Sequence, residues 1–328
     1  MLAALAVAPP LTEELFSPRS LAQLDGLVDL RRHEGSTPTQ EDLIALAGQA
    51  RILISSWRTP QVDETVLASC PNLEVVMHGA GSVKPVVSDA LWARGIRVSS
   101  AAGPLGKGVA ESALAMTITS LKNHWRLVDD IRAGGWHAER ARVRELYDIT
   151  VGVISAGNAG RHYITLLQAF DVEVLLVDPA ITAEQATAMG ARKVELDELV
   201  GKSDVIAVHA PSIPATRHMI NSAVLQSMKD DAILINTARG SVIDEAALAT
   251  ELAKGRLFAC LDVSDPEPPA VDHPLRSLPN CVFTGHVAGA VTNGKRRLGQ
   301  HVADEVQRFL AGEPLAGEVT GADMARLA

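Results

Sequence analysis

Three segments in the second half of the chain place ionisable side chains directly after short apolar runs. Arg239 lies in INTARGSVIDEAAL, Asp262 and Glu267 lie in LDVSDPEPP, and His286 lies in PNCVFTGHVAG. Residues of these types can exchange protons and bind an anionic group if they converge. Each also has a structural explanation: a surface ion pair for Arg239, a loop cap for Asp262, a solvated acid for Glu267 and a satisfied core histidine for His286.

A glycine-containing turn, TVGVISAGNAG, precedes these segments. Gly157 and Gly160 allow a close approach of the backbone, and the helix that follows would offer N–H groups to a pyrophosphate. Ser155 stands where a dinucleotide fingerprint usually has its first glycine. A tight turn alone would explain the glycines, but Asp178 ends the next apolar run at the ~20-residue spacing of a ribose-binding acid. No Arg or Lys follows directly to bind a 2′-phosphate, so the pattern predicts NAD.

The elements that must position these residues follow a β-α-β rhythm, which is typical of a doubly wound parallel sheet. In such a sheet ligands lie outside the carboxyl ends of the strands, where side chains from several strands can meet. The predicted strands of this series are Thr150–Ser155, Glu173–Val177, Val205–His209, Ala232–Asn236, Phe258–Val263 and Val282–Thr284. The predicted helices are Asn158–Ala169, Glu184–Met189, Leu196–Gly201, Asn221–Ser227 and Glu245–Lys254.

An earlier series has the same rhythm. Its predicted strands are Leu5–Ala8, Ile52–Ser55, Glu74–His78 and Arg97–Ser99, with helices at Thr39–Gln49 and Asp63–Ala68. A long helical pattern, Val109–Ala133, separates the two series and predicts packing between domains or subunits. The last predicted helix, Asn293–Ala311, could return to the first domain, so that the chain crosses between domains twice.

The composition, with 47% hydrophobic and 21% charged residues, is that of an ordinary globular protein. The net charge is −9 and no basic run is visible, so neither a nucleic acid nor a membrane is expected as a partner. Three widely spaced cysteines (Cys70, Cys260 and Cys281) and ten unclustered histidines predict neither a disulfide framework nor a metal site. No signal peptide or membrane span is expected, which predicts a cytoplasmic protein.

Taken together, these motifs resemble the D-isomer-specific 2-hydroxyacid dehydrogenase family, which includes phosphoglycerate and D-lactate dehydrogenases and glyoxylate/hydroxypyruvate reductases. The resemblance covers nearly the whole chain and rests on HGAG, VAES, ELYDITVGVISAGNAGR, NTARGSVIDEAAL, LDVSDPEP and HPLRSLPNCVFTGHVAG. It implies an NAD-dependent oxidoreductase that transfers a hydride between nicotinamide and C2 of a small D-2-hydroxy acid or 2-keto acid. The alternative is an NAD-sensing binding protein, similar to the corepressors of the family. Formate dehydrogenase is disfavoured, because that enzyme pairs Gln with His where Glu267 stands here.

The resemblance also implies a role for each site residue. Arg239 would bind the substrate carboxylate, His286 would exchange a proton with the C2 oxygen, and Glu267 would orient the imidazole and favour its charged form. Asp262 would contact the nicotinamide side. The expected cofactor-binding residues are Gly157, Asn158, Ala159, Gly160, Asp178, His209, Pro211, Thr216, Thr237, Ala238, Asp262 and Gly289. The expected substrate-binding residues are Gly79, Ala80, Gly81, Arg239, Trp57 and Arg58.

The implied fold is α/β, with two doubly wound parallel-sheet domains and a cleft between them. Residues 103–287 would form a Rossmann NAD-binding domain. Residues 1–102 would form a flavodoxin-like substrate-binding domain, completed by the C-terminal helix in residues 288–328. The long helix and the turn at Trp136 would belong to a homodimer interface. Departures from the family pattern, such as Ser112, Ser264 and Gly285, prevent the substrate of any one member from being transferred to this chain.

Overall fold

The computed structural model describes residues 1–136 and 140–327. The strands are β1 Leu2–Leu5, β2 Asp29–Arg32, β3 Ile52–Ser55, β4 Val75–His78, β5 Arg97–Ser100, β6 Tyr147–Ile154, β7 Asp171–Val177, β8 Arg192–Lys193, β9 Val205–Val208, β10 Ile233–Asn236, β11 Phe258–Leu261, β12 Cys281–Phe283 and β13 Glu318–Val319. The helices are α1 Pro9–Leu15, α2 Pro18–Leu27, α3 Gln40–Ala47, α4 Glu64–Ser69, α5 Asp89–Ala93, α6 Ala102–Leu121, α7 His124–Arg132, α8 Asn158–Leu167, α9 Ala183–Ala188, α10 Leu196–Lys202, α11 Ser222–Ser227, α12 Glu245–Leu252 and α13 Lys295–Leu310.

The chain forms two compact units. The first unit comprises Met1–Leu105 together with the segment that begins at Ala290, and the second unit comprises Gly106–Gly289. No helix within residues 1–136 and 140–327 is both long and apolar enough to span a bilayer.

The first unit is built on a six-stranded sheet with the order β13-β5-β4-β3-β1-β2. The strands pair in parallel, except that β13 runs antiparallel to β5. Leu43, Val66 and Leu91, from α3, α4 and α5, pack on one face. Leu24 of α2 and Leu298 of α13 pack on the other. The order β2-β1-β3-β4-β5 is that of a flavodoxin-like sheet.

The second unit is built on a seven-stranded parallel sheet with the order β12-β11-β10-β9-β6-β7-β8, a Rossmann arrangement. Apolar side chains of α10, α11 and α12 cover one face, and those of α6, α8 and α9 cover the other. Strands buried on both sides need continuous apolar sequence, and every residue of β9 and β10 is buried. Strand order reverses between β6 and β9, the place in such sheets where ligands bind.

Side-chain caps determine where several helices begin. The N–H of Ala247 donates to Asp244 at the start of α12, and the N–H of Val224 donates to Asn221 at the start of α11. Helix α8 differs, because its N-cap is Gly157 and no side chain caps its first turn. Its first N–H groups therefore suit an external anion.

The predicted α/β fold class is confirmed, and most predicted strands and helices overlap observed ones. The predicted strand Leu5–Ala8 is wrong beyond Leu5, because Pro9 begins α1. The predicted continuous helix Val109–Ala133 is also wrong. It is interrupted at Asn123, which adopts the left-handed conformation with φ +54°, and α7 starts anew after it.

Candidate active site

The turn between β6 and α8 keeps a glycine-like backbone at Ser155. This residue has φ +75°, in the left-handed region where glycine is favoured. A Cβ on Gly160 would lie 2.1 Å from the Ser155 carbonyl oxygen, whereas a Cβ on Gly157 would meet nothing within 4 Å. Gly160 is thus required for packing, and the space beside Gly157 can admit a ligand. Asn158 and Ala159 form the first turn of α8.

Gly106 supports this turn from helix α6, although no motif in the sequence indicates it. A Cβ at this position would lie 2.9 Å from the backbone nitrogen of Ala159. Glycine in a helix interior costs about 1 kcal/mol relative to alanine, so its presence there is a signal of close packing.

Asp178 follows β7 and is held against the same turn. Its Oδ2 accepts the N–H of Ala156 at 2.8 Å, and its Oδ1 accepts the N–H of Ala180 at 2.8 Å. The Ser155 hydroxyl lies 3.4 Å from Oδ2. Asp178 is buried. The glycine turn after β6 and the acid after β7 are therefore joined by hydrogen bonds.

Two buried side chains that follow β9 and β10 lack hydrogen-bond partners within the described residues. These are both ring nitrogens of His209 and the hydroxyl of Thr237. Burial lowers the pKa of His209 to about 4, so its imidazole is neutral at pH 7. Buried polar groups are ordinarily hydrogen-bonded. These unpaired polar atoms follow strands of the same sheet that carries the glycine turn, and a bound cofactor could supply their hydrogen-bond partners.

Asn236 at the end of β10 shapes the turn that carries Thr237, Ala238 and Arg239. Its Oδ1 accepts the N–H of Ala238 at 3.0 Å, and its Nδ2 donates to the Arg239 carbonyl at 2.9 Å. The loop after β9 is held similarly, since the Thr216 hydroxyl donates to the Pro211 carbonyl at 2.5 Å.

The half-buried Arg239 side chain donates to the Ala238 carbonyl at 2.7 Å. Its turn lies against the segment that leads to Glu267. A Cβ on Gly240 would come within 2.0 Å of the Ser264 carbonyl carbon. Only glycine permits this approach.

His286 and Glu267 form a direct pair. Nδ1 of His286 lies 2.8 Å from Oε2 of Glu267. The other carboxylate oxygen accepts the N–H of Ser264 at 3.2 Å. About half of the His286 side chain (51%) is exposed, so the ring can meet a ligand. With Nδ1 facing the carboxylate, Nε2 is the nitrogen that remains for a substrate.

Asp262 organises the turn on which His286 sits. Its carboxylate accepts hydrogen bonds from the Thr284 hydroxyl at 2.5 Å, the Val287 N–H at 2.9 Å and the Ala288 N–H at 2.8 Å. The N–H of His286 donates to the Asp262 carbonyl at 2.7 Å. Asp262 is fully buried, so the structure gives it a positioning role. Its contact with nicotinamide stays a prediction, as does cofactor binding by the half-buried Gly289.

The HGAG loop follows β4 in the first unit. The N–H of Gly79 donates to the Ser55 carbonyl at 2.8 Å, so this amide is already engaged. Those of Ala80 and Gly81 have no acceptor within residues 1–136 and 140–327. The carbonyl of Gly81 accepts the Ser100 hydroxyl at 2.7 Å.

Trp57 and Arg58 are exposed in the turn after β3, and Arg58 adopts φ +68°. The turn is fixed by Thr59, whose hydroxyl accepts the Ser56 N–H at 3.0 Å and donates to the Ala6 carbonyl at 2.8 Å. Lys84 donates to the Leu327 carbonyl at 2.5 Å.

Comparison with known proteins decides the family. Residues 114–288, more than half of the chain, match the D-isomer specific 2-hydroxyacid dehydrogenase, NAD binding domain. The chain belongs to this family. This match confirms both the predicted family and the predicted cofactor, NAD. The matched NAD-binding domain includes Gly157, Asp178, Glu267 and His286.

Relatives of known activity can be aligned with most of this chain. D-3-phosphoglycerate dehydrogenase of Mycobacterium bovis is 32% identical over 304 residues, which are 92% of this chain but 57% of that protein. The chain thus spans little more than half the length of the phosphoglycerate dehydrogenases it matches. Hydroxypyruvate reductase of Thermotoga maritima is 29% identical, covering 83% of this chain and 88% of its own. A solved phosphoglycerate oxidoreductase from Rhizobium etli, at 24% identity, covers 96% of this chain and 97% of its own with a TM-score of 0.83, a likeness of fold.

Proposed function

We propose that this D-2-hydroxyacid dehydrogenase family member transfers a hydride between NAD and C2 of a small D-2-hydroxy acid or 2-keto acid. The observation that carries the proposal is the His286–Glu267 pair, with 2.8 Å between Nδ1 and Oε2, in an NAD-binding domain. Redox chemistry at an alcohol carbon requires a proton to leave or join the oxygen while the hydride moves. A half-exposed histidine backed by a carboxylate can perform that proton transfer.

When NAD(H) is bound, it accepts or supplies the hydride. In reduction, Nε2 of His286 donates a proton to the C2 oxygen, so the keto acid gains one hydride on carbon and one proton on oxygen. Glu267 stabilises the imidazolium before the transfer and fixes the proton on Nδ1. Arg239 binds the substrate carboxylate, for which a planar guanidinium offers paired donors.

The cofactor-binding assignments are part of the proposal. The uncapped first turn of α8 suits the pyrophosphate, and Asp178 suits the adenosine ribose. The orphaned atoms of His209 and Thr237 would gain partners from the cofactor. The complete proposed set is Gly157, Asn158, Ala159, Gly160, Asp178, His209, Pro211, Thr216, Thr237, Ala238, Asp262 and Gly289.

We propose a substrate-binding role for the first unit. The free amides of Ala80 and Gly81 suit a carboxylate, whereas that of Gly79 is committed to Ser55. Trp57 and Arg58 are exposed in the turn after β3, the strand that pairs with β4. They would select among substrate side chains.

We also propose a homodimer in the cytoplasm. Helix α7 buries none of its residues and exposes Trp125, Val128 and Ile131. Exposed apolar surface of this kind is typical of a protein interface. All three cysteines are free, which suits a reducing compartment.

The test is a steady-state assay of NADH oxidation with glyoxylate, hydroxypyruvate and phenylpyruvate. We expect at least one to be reduced, and His286→Ala to lose ~10²–10⁴-fold in kcat because general acid–base catalysis is removed. NADH binding, measured by calorimetry, should be retained. A folded protein that binds NADH but reduces none of a wider 2-keto acid panel would instead support an NAD-sensing binding protein.

A further inference from the structure

Glu245, the first residue of α12, touches both ends of the segment that carries Glu267. Its Oε1 accepts the N–H of Asp265 at 3.0 Å. Its Oε2 lies at an ion-pair distance of 3.2 Å from Nε2 of His273 and has no hydrogen-bond partner among the described residues. Only 10% of the Glu245 side chain is exposed. One carboxylate therefore connects the beginning and the end of residues 265–273.

Helix capping does not explain this carboxylate. Asp244 already caps α12 by accepting the N–H of Ala247 at 3.0 Å. Burial raises the pKa of Glu245, and the nearby carboxylates of Asp265 and Glu267 raise it further, while the Asp265 N–H and His218 lower it. A buried carboxylate is unfavourable unless its contacts compensate. Burial of the Glu245 carboxylate thus disfavours folding, and its presence suggests a role other than helix capping.

The 265–273 segment depends on side chains for its conformation. It contains Pro266, Pro268 and Pro269, which cannot donate backbone hydrogen bonds. Its described side-chain contacts include Arg217 with Asp265 at 3.3 Å and Arg276 with the Pro269 and Ala270 carbonyls at 2.9 and 2.8 Å. Glu245 reaches this segment from α12, which packs in the core of the second unit.

We propose that Glu245 and His273 are positioning residues that keep Glu267 against Nδ1 of His286. The inference rests on the proposed function, in which Glu267 favours the charged imidazole. Glu245 acts through the Asp265 N–H, two residues before Glu267, and His273 secures the opposite end. Loss of this bridge releases the segment, and the imidazole loses its carboxylate partner.

The test compares Glu245→Ala, which removes the acceptor, with Glu245→Gln, which retains an oxygen for the Asp265 N–H. Glu184→Ala is the matched control, since Glu184 is an exposed glutamate in the first turn of α9. We expect Glu245→Ala to lower kcat by about tenfold, a fraction of the ~10²–10⁴-fold of general acid–base catalysis. The alkaline limb of the reduction profile should move to lower pH by about one unit, because the imidazolium loses its carboxylate partner. Glu245→Gln and Glu184→Ala should stay close to the wild type, and NADH affinity should be unchanged throughout.

Nuclear magnetic resonance titration of His286 in the cofactor-free protein gives a readout that needs no turnover. If the midpoint falls in Glu245→Ala while the wild type reduces no 2-keto acid, the positioning inference holds and the proposed function fails. A wild-type midpoint in folded Glu245→Ala overturns the inference, as does equal impairment of Glu245→Gln and Glu245→Ala. Should Glu245→Ala not fold, His273→Phe replaces it, with a shift in the same direction expected and no shift overturning the inference.

Discussion

At the scale of single residues, the Asp178 carboxylate of the candidate cofactor site is held by backbone hydrogen bonds on both of its oxygens. Both carboxylate oxygens accept a backbone N–H at 2.8 Å, one of them from the fingerprint turn itself. Oδ2 also faces the Ser155 hydroxyl at 3.4 Å, whereas Oδ1 retains a further lone pair to which a ribose hydroxyl can donate. A 2′-phosphate would instead meet a carboxylate that is buried and unable to turn away.

We therefore expect the wild type to use NADH with a kcat/KM at least about tenfold above that for NADPH, a difference of ~1.4 kcal/mol. Asp178→Ala should reduce this ratio, because the repulsion of the 2′-phosphate is removed. Asp171→Ala is the control, since Asp171 opens the same strand as an exposed carboxylate. Equal use of NADPH by the wild type would contradict the role of Asp178.

At the scale of elements, His78 connects the carboxyl ends of β3 and β4. Its Nδ1 lies 2.9 Å from the Ser55 hydroxyl, and the ring is buried. Burial lowers its pKa to about 4, although a hydrogen bond with the Ser82 backbone opposes the shift. The folded protein thus holds a neutral imidazole at a pH where the unfolded chain is already protonated.

The corresponding stability is complete above the unfolded pKa of ~6.5 and is lost as the pH falls towards 4. Between pH 7 and pH 5 the loss from His78 should be about 2 kcal/mol of unfolding free energy. Denaturant unfolding at the two pH values measures it, with His78→Asn expected to show a smaller difference than the wild type. His209, which is also buried, contributes to both proteins alike. An unchanged pH dependence in His78→Asn would show that the imidazole is not held neutral.

Burial determines which elements could be predicted from the sequence. Buried strands such as β9 and β10 were predicted, because burial on both faces demands unbroken apolar sequence. The edge strand β2 was missed, since most of its side chains are exposed. Helices α1 and α2 were not predicted, although each begins at a proline, which is favoured at a helix start.

The same limit applies to the candidate site. His286, Glu267 and Asp178 could be predicted from motifs, because each follows a recognisable strand. Gly106 and Glu245 could not, since each acts on atoms far away in the sequence. Ser155 stands where the dinucleotide fingerprint usually has its first glycine. The backbone there requires a left-handed conformation, which Ser155 adopts.

At the scale of the whole molecule, α7 and the residues that follow it in the sequence carry several exposed apolar side chains. Trp136 is 73% exposed, and Trp125, Val128, Ile131 and Tyr147 are exposed as well. Trp125, Val128 and Ile131 recur at intervals of three, so they share one side of α7. A surface of this kind needs a partner, and a second copy of the chain is the proposed one.

We expect analytical ultracentrifugation to show a dimer for the wild type and a monomer for Val128→Glu, because a buried unpaired charge opposes association. Val271→Glu is the matched control, since Val271 is 94% exposed and should leave the dimer intact. A monomeric wild type, or a dimeric Val128→Glu, would remove α7 from the proposed interface.

The discontinuity of the first unit has a consequence for how the protein is made. Residues 1–105 leave the ribosome first, but α13, whose Leu298 and Val302 cover one face of their sheet, follows only after Gly106–Gly289. At ~5–20 residues per second the delay is on the order of 10–40 s. The second unit is continuous, so all of its residues are synthesised within that interval. Until α13 is synthesised, the apolar face of the sheet that it covers remains exposed to solvent. Because chaperones bind exposed apolar surface, we expect them to bind this part of the nascent chain.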